Sequence, residues 1–172
     1  MSVINTPSNK NFLSPLNFKF NIVRSPNLSF SVQQAVLPGI NLAVIEQPTP
    51  FVNIPLPSTR ISYGEFTLTF KVDEDMENYR EMYEWMNNIG LTKSFTDYAT
   101  LQQGKKGSPS VLMSDLNLSI LTSNLSPNIS INFFDAFPVS LSDITLNTTD
   151  TDVNYVDATV GFRYLRYEIT KL

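Results

Sequence analysis

Residues 65–90, EFTLTFKVDEDMENYREMYEWMNNIG, hold the clearest secondary-structure signals in the chain. In the first part of this stretch one parity is apolar and the other is threonine or charged; the apolar positions are Phe66, Leu68, Phe70 and Val72. This period of two predicts a strand over residues 65–72 with one buried face. The acidic residues Asp73, Glu74 and Asp75 end the strand, and they place negative charge where a following helix begins.

A helix is predicted directly after this acidic turn, over residues 76–89. Its apolar side chains recur at helical spacing and form a stripe of Tyr79, Met82, Tyr83 and Met86, widened by Trp85 and Ile89. Its wetter side carries Glu77, Arg80, Glu81 and Glu84. Gly90 suits the C-terminal end of the helix. We expect the aromatic stripe to cover one face of a sheet and not to form a ligand site.

Upstream of this stretch, two more alternating patterns predict an antiparallel hairpin. Phe18, Phe20 and Ile22 alternate with polar residues, and a turn of Ser25-Pro26-Asn27 follows. The same alternation then returns at Leu28, Phe30 and Val32. Residues 1–16 are polar and contain Pro7 and Pro15, so we expect them to form an arm that is flexible or docked on a neighbour.

A proline-rich stretch begins at Leu37-Pro38-Gly39-Ile40 and continues through Pro48, Pro50, Pro55 and Pro57. Proline lacks the backbone N–H of a sheet ladder and is excluded from central strands. We therefore expect residues 37–62 to protrude as an arm of mostly irregular backbone, with short pieces such as residues 51–54 pairing at an edge. The alternative is a floppy surface loop. Against that alternative, the stretch is too apolar for solvent, with Leu42, Val44, Ile45, Phe51, Val52, Ile54 and Leu56.

The C-terminal half predicts further strands. Residues 115–122 and 129–134 form a hairpin, residues 139–146 a weaker extended piece, and residues 147–152 a polar turn. In a long last strand, residues 154–169, the apolar parity changes around Gly161. That change predicts a bulge, or a strand that passes from one sheet to another. The fold class is thus mainly β: an antiparallel β-sandwich or small barrel with one flanking α-helix and a long protruding arm.

Composition points to one domain, residues 1–172, whose surface carries little charge. Charged residues are 16% of the chain, against about 25% in typical soluble domains. A weakly charged surface suits a subunit that is buried among neighbours. The net charge of −4 argues against a dedicated nucleic-acid surface, which needs clustered lysine and arginine.

The sequence offers no recognisable catalytic equipment. It contains neither cysteine nor histidine, which excludes disulfides, Cys or His zinc sites, cysteine nucleophiles and Ser-His-Asp triads. The basic tip at Lys105 and Lys106 lacks P-loop spacing. Paired carboxylates, Asp73 with Asp75 and Asp150 with Asp152, fall in predicted turns and are interpreted as caps and solvated loop residues. We therefore expect no enzyme, no catalytic, cofactor-binding or metal-binding residues, and neither a signal peptide nor a membrane span.

Three segments, taken in order, resemble the tail tube proteins of contractile-tailed (myovirus) bacteriophages. The first is residues 33–40, QQAVLPGI, which lead into the arm. The second is residues 63–70, YGEFTLTF, followed by the acidic turn and the helix with Trp85. The third is residues 133–138, followed by the polar turn at residues 147–152, which is also acidic, and by the alternating run at residues 154–167. The order of the segments carries the resemblance, which spans most of the chain.

The resemblance implies a structural virion subunit. Such subunits form hexameric rings that stack into the phage tail tube, the conduit for DNA ejection into the host. Neighbouring subunits join their inner strands into one β-barrel around the lumen. The Asn-, Ser- and Thr-bearing faces of this chain would suit a water-filled channel through which DNA passes without specific binding. The resemblance further implies sheath, baseplate and tail-terminator partners, and a virion tail that is assembled in the bacterial host cytoplasm.

Two sets of residues receive roles from the resemblance. The inter-ring stacking arm comprises Leu37, Pro38, Gly39, Ile40, Leu42, Val44, Phe51, Ile54 and Leu56. The outer helix, with a possible sheath face, comprises Glu77, Arg80, Glu81 and Glu84.

Two alternatives stay open from the sequence. A tube-initiator protein at the baseplate, or a tail terminator, would share the same fold. From a different class, a carbohydrate- or peptide-binding β-sandwich appendage could use exposed aromatic residues, namely Tyr98, Tyr155 and Tyr167. Rings or tubes in negative-stain micrographs favour the tail proteins, and glycan binding by a monomer or trimer favours the appendage.

Overall fold

The computed structural model describes residues 12–22, 24–90, 112–149 and 155–172. In chain order the elements of these residues are β1 (Phe18–Ile22), α1 (Pro26–Ser31), β2 (Val32–Val36), β3 (Ile40–Pro48), β4 (Asn53–Tyr63), β5 (Phe66–Lys71), α2 (Glu77–Gly90), β6 (Ser114–Leu121), β7 (Pro127–Leu141), β8 (Asp157–Arg163) and β9 (Arg166–Lys171). The protein is mainly β, and its strand ladders are antiparallel, as the sequence predicts.

One long strand, β7, organises the main sheet. The sheet order is β1-β6-β7-β8-β5-β2, and β9 also pairs with β7. The first part of β7 lies between β6 and β9, whereas its last residues pair with β8. The sheet therefore has two halves, which we call the A half (β1, β6, β9 and the start of β7) and the B half (β2, β5, β8 and the end of β7).

The two halves pack against each other over an aromatic core. Phe66 of β5 stacks on Phe133 of β7 with ring centroids 4.4 Å apart, and it lies 6.1 Å from Phe20 of β1. Trp85 of α2 joins the same core, 6.0 Å from Phe162 of β8. Burying each such ring contributes about 1.5–3 kcal/mol to folding. The core thus holds both sheet halves and α2 together.

The strand and helix predicted from residues 65–90 are confirmed by β5 and α2. Phe66, Leu68 and Phe70 are fully buried, at 0% exposure. The predicted helix stripe is partly wrong: Met82 and Trp85 are buried, but Tyr83 is 56% exposed.

A buried polar residue, Asn78, was missed within that helix. Its Nδ2 donates to the Lys71 carbonyl at 2.7 Å and to Ser31 Oγ at 2.9 Å. Its Oδ1 accepts from the backbone N–H groups of Asp73 and Tyr79. These bonds join β5, α1 and α2, and they satisfy a side chain that is 0% exposed.

The predicted N-terminal hairpin is wrong. Residues 26–31 form the helix α1, because the buried positions Leu28 and Ser31 recur at helical spacing while Phe30 is 95% exposed. Pro26 suits the first turn of a helix. β1 instead pairs with β6, and β2 pairs with β5, so both partners come from distant parts of the chain.

Most of the C-terminal predictions are confirmed, and the predicted polar turn at residues 147–152 lies partly outside the described residues. β6 and β7 form the predicted hairpin, with Ile120 opposite Ile129. The separate piece at residues 139–146 is wrong, because β7 continues to Leu141 through Asp135, whose φ of 53° accompanies a register shift. The parity change in the last strand is confirmed: β8 and β9 separate at residues 164–165 and pair mainly with the B and A halves respectively.

Candidate assembly surfaces

The proline-rich arm is a two-stranded hairpin, separate from the main sheet. β3 and β4 have nine and eleven residues and pair with each other alone in the described sheets. The expected irregular backbone is therefore wrong. Three prolines lie inside these strands, at positions 48, 55 and 57. A two-stranded ribbon tolerates them because both of its strands are edges, where a missing N–H can face outward.

A bulge divides the arm into a base and a tip. At the base, Ile40 faces Tyr63 and Leu42 faces Ile61. The register then shifts, so that Val44 faces Pro57. Ala43 alone therefore opposes residues 58–60, and extra residues of this kind twist and bend a ribbon.

The arm exposes apolar side chains along its length. Every residue of β3 is exposed, and Phe51, at the turn between β3 and β4, is 99% exposed. Of the predicted stacking residues, eight are exposed: Leu37, Gly39, Ile40, Leu42, Val44, Phe51, Ile54 and Leu56. The ninth, Pro38, is buried. Exposed apolar side chains in this number are unusual on a single chain.

An aromatic cluster fixes the root of the arm to the body. The Tyr63 ring lies 5.8 Å from Tyr164 and 5.6 Å from Tyr167. Tyr167 Oη donates to the Pro38 carbonyl at 3.4 Å, and the Gly64 N–H donates to the Gly39 carbonyl at 3.1 Å. Pro38 and Gly39 therefore belong to the root of the arm, whose direction they help to set.

Burial changes the chemistry of Tyr164 within this cluster. Desolvation, with smaller contributions from Tyr167 and Tyr63, raises the pKa of Tyr164 to about 12. Its hydroxyl is buried and makes no hydrogen bond to the described residues. A phenol is neutral at physiological pH with or without this shift, and Tyr164 acts through its ring, which contacts Tyr63, Phe133 and Tyr167.

Three of the four predicted outer-helix residues are exposed on α2. Glu77 and Arg80 are exposed, as is Glu84, whose Oε1 lies 3.5 Å from Arg80 Nε. Glu81 instead faces α1, where its carboxylate accepts a hydrogen bond from Asn27 Nδ2 at 2.8 Å. Desolvation is the main reason why the pKa of Glu81 is raised. Glu81 thus belongs to the contact between the two helices.

Polar side chains of β6 and β7 form a hydrogen-bonded ladder on the face of the A half that points away from the core. Asn117 Nδ2 donates to Ser130 Oγ at 2.7 Å and to Asn132 Oδ1 at 2.6 Å. Ser119 Oγ donates to Asn117 Oδ1 at 2.8 Å. These uncharged side chains bond to one another, and the register places charged residues beside them on the same face, with Lys19 opposite Ser119 and Glu168 opposite Asn132. The face is therefore polar and carries charges of both signs. The sequence predicted polar faces but not this network, because the cross-strand register decides it.

The main sheet has open borders. β1 and β2 stand at its two ends, and β9 pairs only with β7 among the described strands. Each therefore presents a row of backbone groups without a ladder partner in the chain as described. Such edges pair readily with other chains unless they are covered.

The described residues include no group of three or more His, Cys, Asp or Glu able to hold a metal ion. Within the same part of the chain, no helix has the length and apolar character needed to cross a membrane. The basic tip at Lys105, the carboxylates of Asp150 and Asp152, and Tyr98 lie outside the described residues. Of the other two aromatics predicted to be exposed, Tyr155 is 76% exposed. The prediction is wrong for Tyr167, which is partly buried because it packs in the aromatic cluster at the root of the arm.

Solved structures of contractile injection systems have the same fold. A chain of the anti-feeding prophage tube-terminating cap matches with a TM-score of 0.68 and 17% identity over 100% of both chains. A chain of the PVC sheath–tube complex in the extended state matches with a TM-score of 0.67 and 14% identity, covering 95% of this chain and 94% of that one. The architecture is therefore that of the tube and cap proteins of these systems.

Comparison of the sequence identifies the protein family. The model of the phage tail tube protein family matches residues 4–170, and the chain belongs to this family. It is also 29% identical, over 161 residues, to the tail tube terminator protein of Enterobacteria phage T4, covering 88% of this chain and 86% of that protein. Such relatives are structural components of phage tails, and the protein is not an enzyme.

Proposed function

We propose that this protein terminates a contractile phage tail tube by forming a ring on its last layer. The observation that carries the proposal is the similarity to the T4 tail tube terminator, which extends over 86% of that protein. The full-length match to the tube-terminating cap of the anti-feeding prophage supports the same role. From the sequence alone a tube subunit is the first expectation and a terminator its alternative, and the relatives favour the terminator.

The ring is a closed hexamer of identical copies. Its physical basis is the set of open strand edges at β1, β2 and β9, because ring closure pairs edges that a single chain leaves unpaired. The polar ladder of Asn117, Ser130 and Asn132 lines the channel in this arrangement. The charges on this face are mixed, with Arg166 Nη2 lying 3.4 Å from Glu168 Oε1. The wet lining thus supplies no lysine or arginine cluster to hold phosphates, and it lets DNA pass without specific binding.

The arm, residues 37–62, attaches the ring to the tube. Its exposed apolar residues, such as Val44, Phe51 and Leu56, gain a dry environment when they pack against the adjacent ring. The aromatic root at Tyr63 holds the arm in a fixed direction, which lowers the conformational cost of docking. Pro38 acts within this root.

The outer face of α2 contacts the sheath or its terminator. Glu77, Arg80 and Glu84 supply an exposed charged surface there, whereas Glu81 is engaged with α1. The complete particle is a virion tail that is assembled in the bacterial host cytoplasm, with the baseplate at the opposite end of the tube.

Negative-stain microscopy with the cognate tube protein tests the proposal. The purified protein alone should form single rings of uniform diameter, without long tubes. Added to growing tubes, it should cap one end and stop elongation at substoichiometric amounts. A strictly monomeric species at high concentration would contradict ring formation, and tubes that keep growing would contradict termination.

A tube subunit is the second candidate. The match to the sheath–tube complex, with a TM-score of 0.67, is nearly as good as the match to the cap. The same micrographs separate the two, because a tube subunit polymerises into long tubes of its own accord. Long tubes formed by this protein alone would establish the second candidate and remove the first.

A further inference from the structure

An apolar groove with acidic walls lies between the end of β5, the start of α2 and the segment before β8. Its volume is about 510 Å³, and it is lined by Val72, Asp73, Glu74, Met76, Ile144, Leu146, Tyr155 and Val156. Three of the lining apolar side chains are well exposed, namely Met76 at 43%, Leu146 at 82% and Tyr155 at 76%. The groove is therefore an open apolar surface that no described element covers.

The charge around the groove is one-sided. Asp73 and Glu74 line it, and none of its lining residues is basic. The nearest lysine in the sequence, Lys71, is held in an ion pair with Asp157 at 2.7 Å. A segment that combines apolar side chains with positive charge complements such a surface.

The N-terminal segment of the chain has this combination. No acidic residue precedes Glu46, whereas Lys10 supplies a positive charge in the segment itself. Phe12, Leu13 and Leu16 follow, exposed by 99%, 62% and 84%. The segment and the groove are thus complementary in charge, and both expose apolar surface.

The fold separates this segment from the groove of its own chain. The Asn17 carbonyl accepts from the Leu121 N–H, so the segment leaves the body at the start of β7. The groove lies past the other end of β7, where Val72 pairs with Val156. Phe12 and Leu13 are exposed and neither lines the groove, so the segment leaves the groove of its own chain open.

We propose that residues 10–16 of one copy dock in this groove on the neighbouring copy of the ring. Lys10 pairs with Asp73 and Glu74, and Phe12 and Leu13 cover the apolar floor. Each copy donates one segment and accepts another, which is a head-to-tail contact that closes with the ring. The inference rests on the proposed ring, but it fails separately from it in the experiment below.

Thiol cross-linking tests the contact, and the absence of native cysteine makes the experiment clean. Leu13→Cys and Leu146→Cys variants of the full chain are purified separately, mixed, and treated with a short thiol-to-thiol cross-linker. A covalent dimer of the two variants should form within rings. Leu125→Cys replaces Leu146→Cys as the matched control, because Leu125 is also an exposed leucine, at 66%.

Charge exchange provides a second measurement. Lys10→Glu alone, or Glu74→Lys alone, should lower the cross-linking yield by about two- to fivefold, as expected for an exposed ion pair. Mixing the donor chain that carries Lys10→Glu with the acceptor chain that carries Glu74→Lys should restore the yield. This rescue distinguishes pairing between the two sites from a general effect on charge.

The outcomes separate the two proposals. Rings in the micrographs without cross-linking above the Leu125→Cys control would overturn the docking while leaving the proposed function intact. Cross-links that form only when both cysteines are in the same chain would overturn it as well. Monomers at every concentration would overturn both proposals together.

Discussion

Strands β5 and β3 are both rich in apolar residues, yet β5 lies in the core and β3 is exposed to solvent. In β5, Phe66, Leu68 and Phe70 are 0% exposed, whereas every residue of β3 is exposed. The body of the protein buries its apolar side chains within one chain, and the arm does not. We infer that the body supplies the stability of the monomer and that the arm supplies association. The predictions below test this division of roles.

The largest effect is expected from the same substitution made in each region. Phe66→Ala should lower the free energy of unfolding by about 3–5 kcal/mol, because it leaves a cavity in the aromatic core. Phe51→Ala should change it by less than about 0.5 kcal/mol, since the ring is 99% exposed. Urea denaturation of the monomer measures both values. Equal losses in the two variants would remove the distinction between body and arm.

A second test measures the binding of rings to tubes, to which the arm is expected to contribute. Leu56→Ser in the arm should leave monomer unfolding unchanged but weaken ring-to-tube association by about 1.5–3 kcal/mol per copy, the value of one buried leucine side chain. Sedimentation of rings with preformed tubes measures the loss. Leu68→Ser in β5 is the matched control, and it should unfold the monomer. Normal binding by Leu56→Ser would show that the arm does not form the contact.

A third test compares two asparagines. Asn78→Ala should cost about 1–3 kcal/mol of unfolding free energy, because it leaves buried partners such as the Lys71 carbonyl without a hydrogen bond. Asn53→Ala in the arm removes a bond of similar length, 3.0 Å, to Glu46 Oε2, but water replaces it there. The cost in the arm should stay below about 0.5 kcal/mol. Thermal unfolding monitored by circular dichroism measures both changes.

The sequence was sufficient to predict the secondary structure of segments that bury one face. The alternation of residues 65–72 and the spacing of Met82 and Trp85 predicted β5 and α2 because each pattern reports burial on one side. The segment at residues 26–31 failed because its short pattern fits two periods, and its burial depends on partners far away in the chain. Proline correctly indicated that the arm lies outside the main sheet, but not that β3 and β4 would pair.

The assembly surfaces follow the same logic. The exposure of apolar residues such as Val44 and Leu56 could be predicted, because the prolines around them keep this stretch out of the main sheet. The groove could not be predicted, since Val72 and Val156 are brought together only by the β5–β8 pairing. Asn117 and Asn132 likewise become a ladder only through the β6–β7 register. Sites that depend on long-range register have no local signature.

The smallest predicted effect concerns two glutamates that each accept a hydrogen bond from an asparagine amide. Glu81 on α2 accepts from Asn27, and Glu46 in the arm accepts from Asn53. Burial raises the pKa of Glu81 above its ordinary value, so its contribution to stability is fully present below the unfolded-state pKa and is lost as the pH rises through the folded-state pKa. Glu81→Gln keeps a neutral acceptor for Asn27 and should therefore be slightly more stable than the native protein at pH 7 but not at pH 4.

Urea denaturation at these two pH values measures this difference for Glu81→Gln. Glu46→Gln, the matched variant in the arm, should change the free energy of unfolding little at either pH, because Glu46 is exposed whereas Glu81 is partly buried and its Oε2 atom is fully buried. A gain at pH 7 in the arm variant as large as that in the body variant would mean that charge removal alone is responsible. A gain confined to Glu81→Gln instead means that burial between α1 and α2 is the cause, which is a property that the exposed arm lacks.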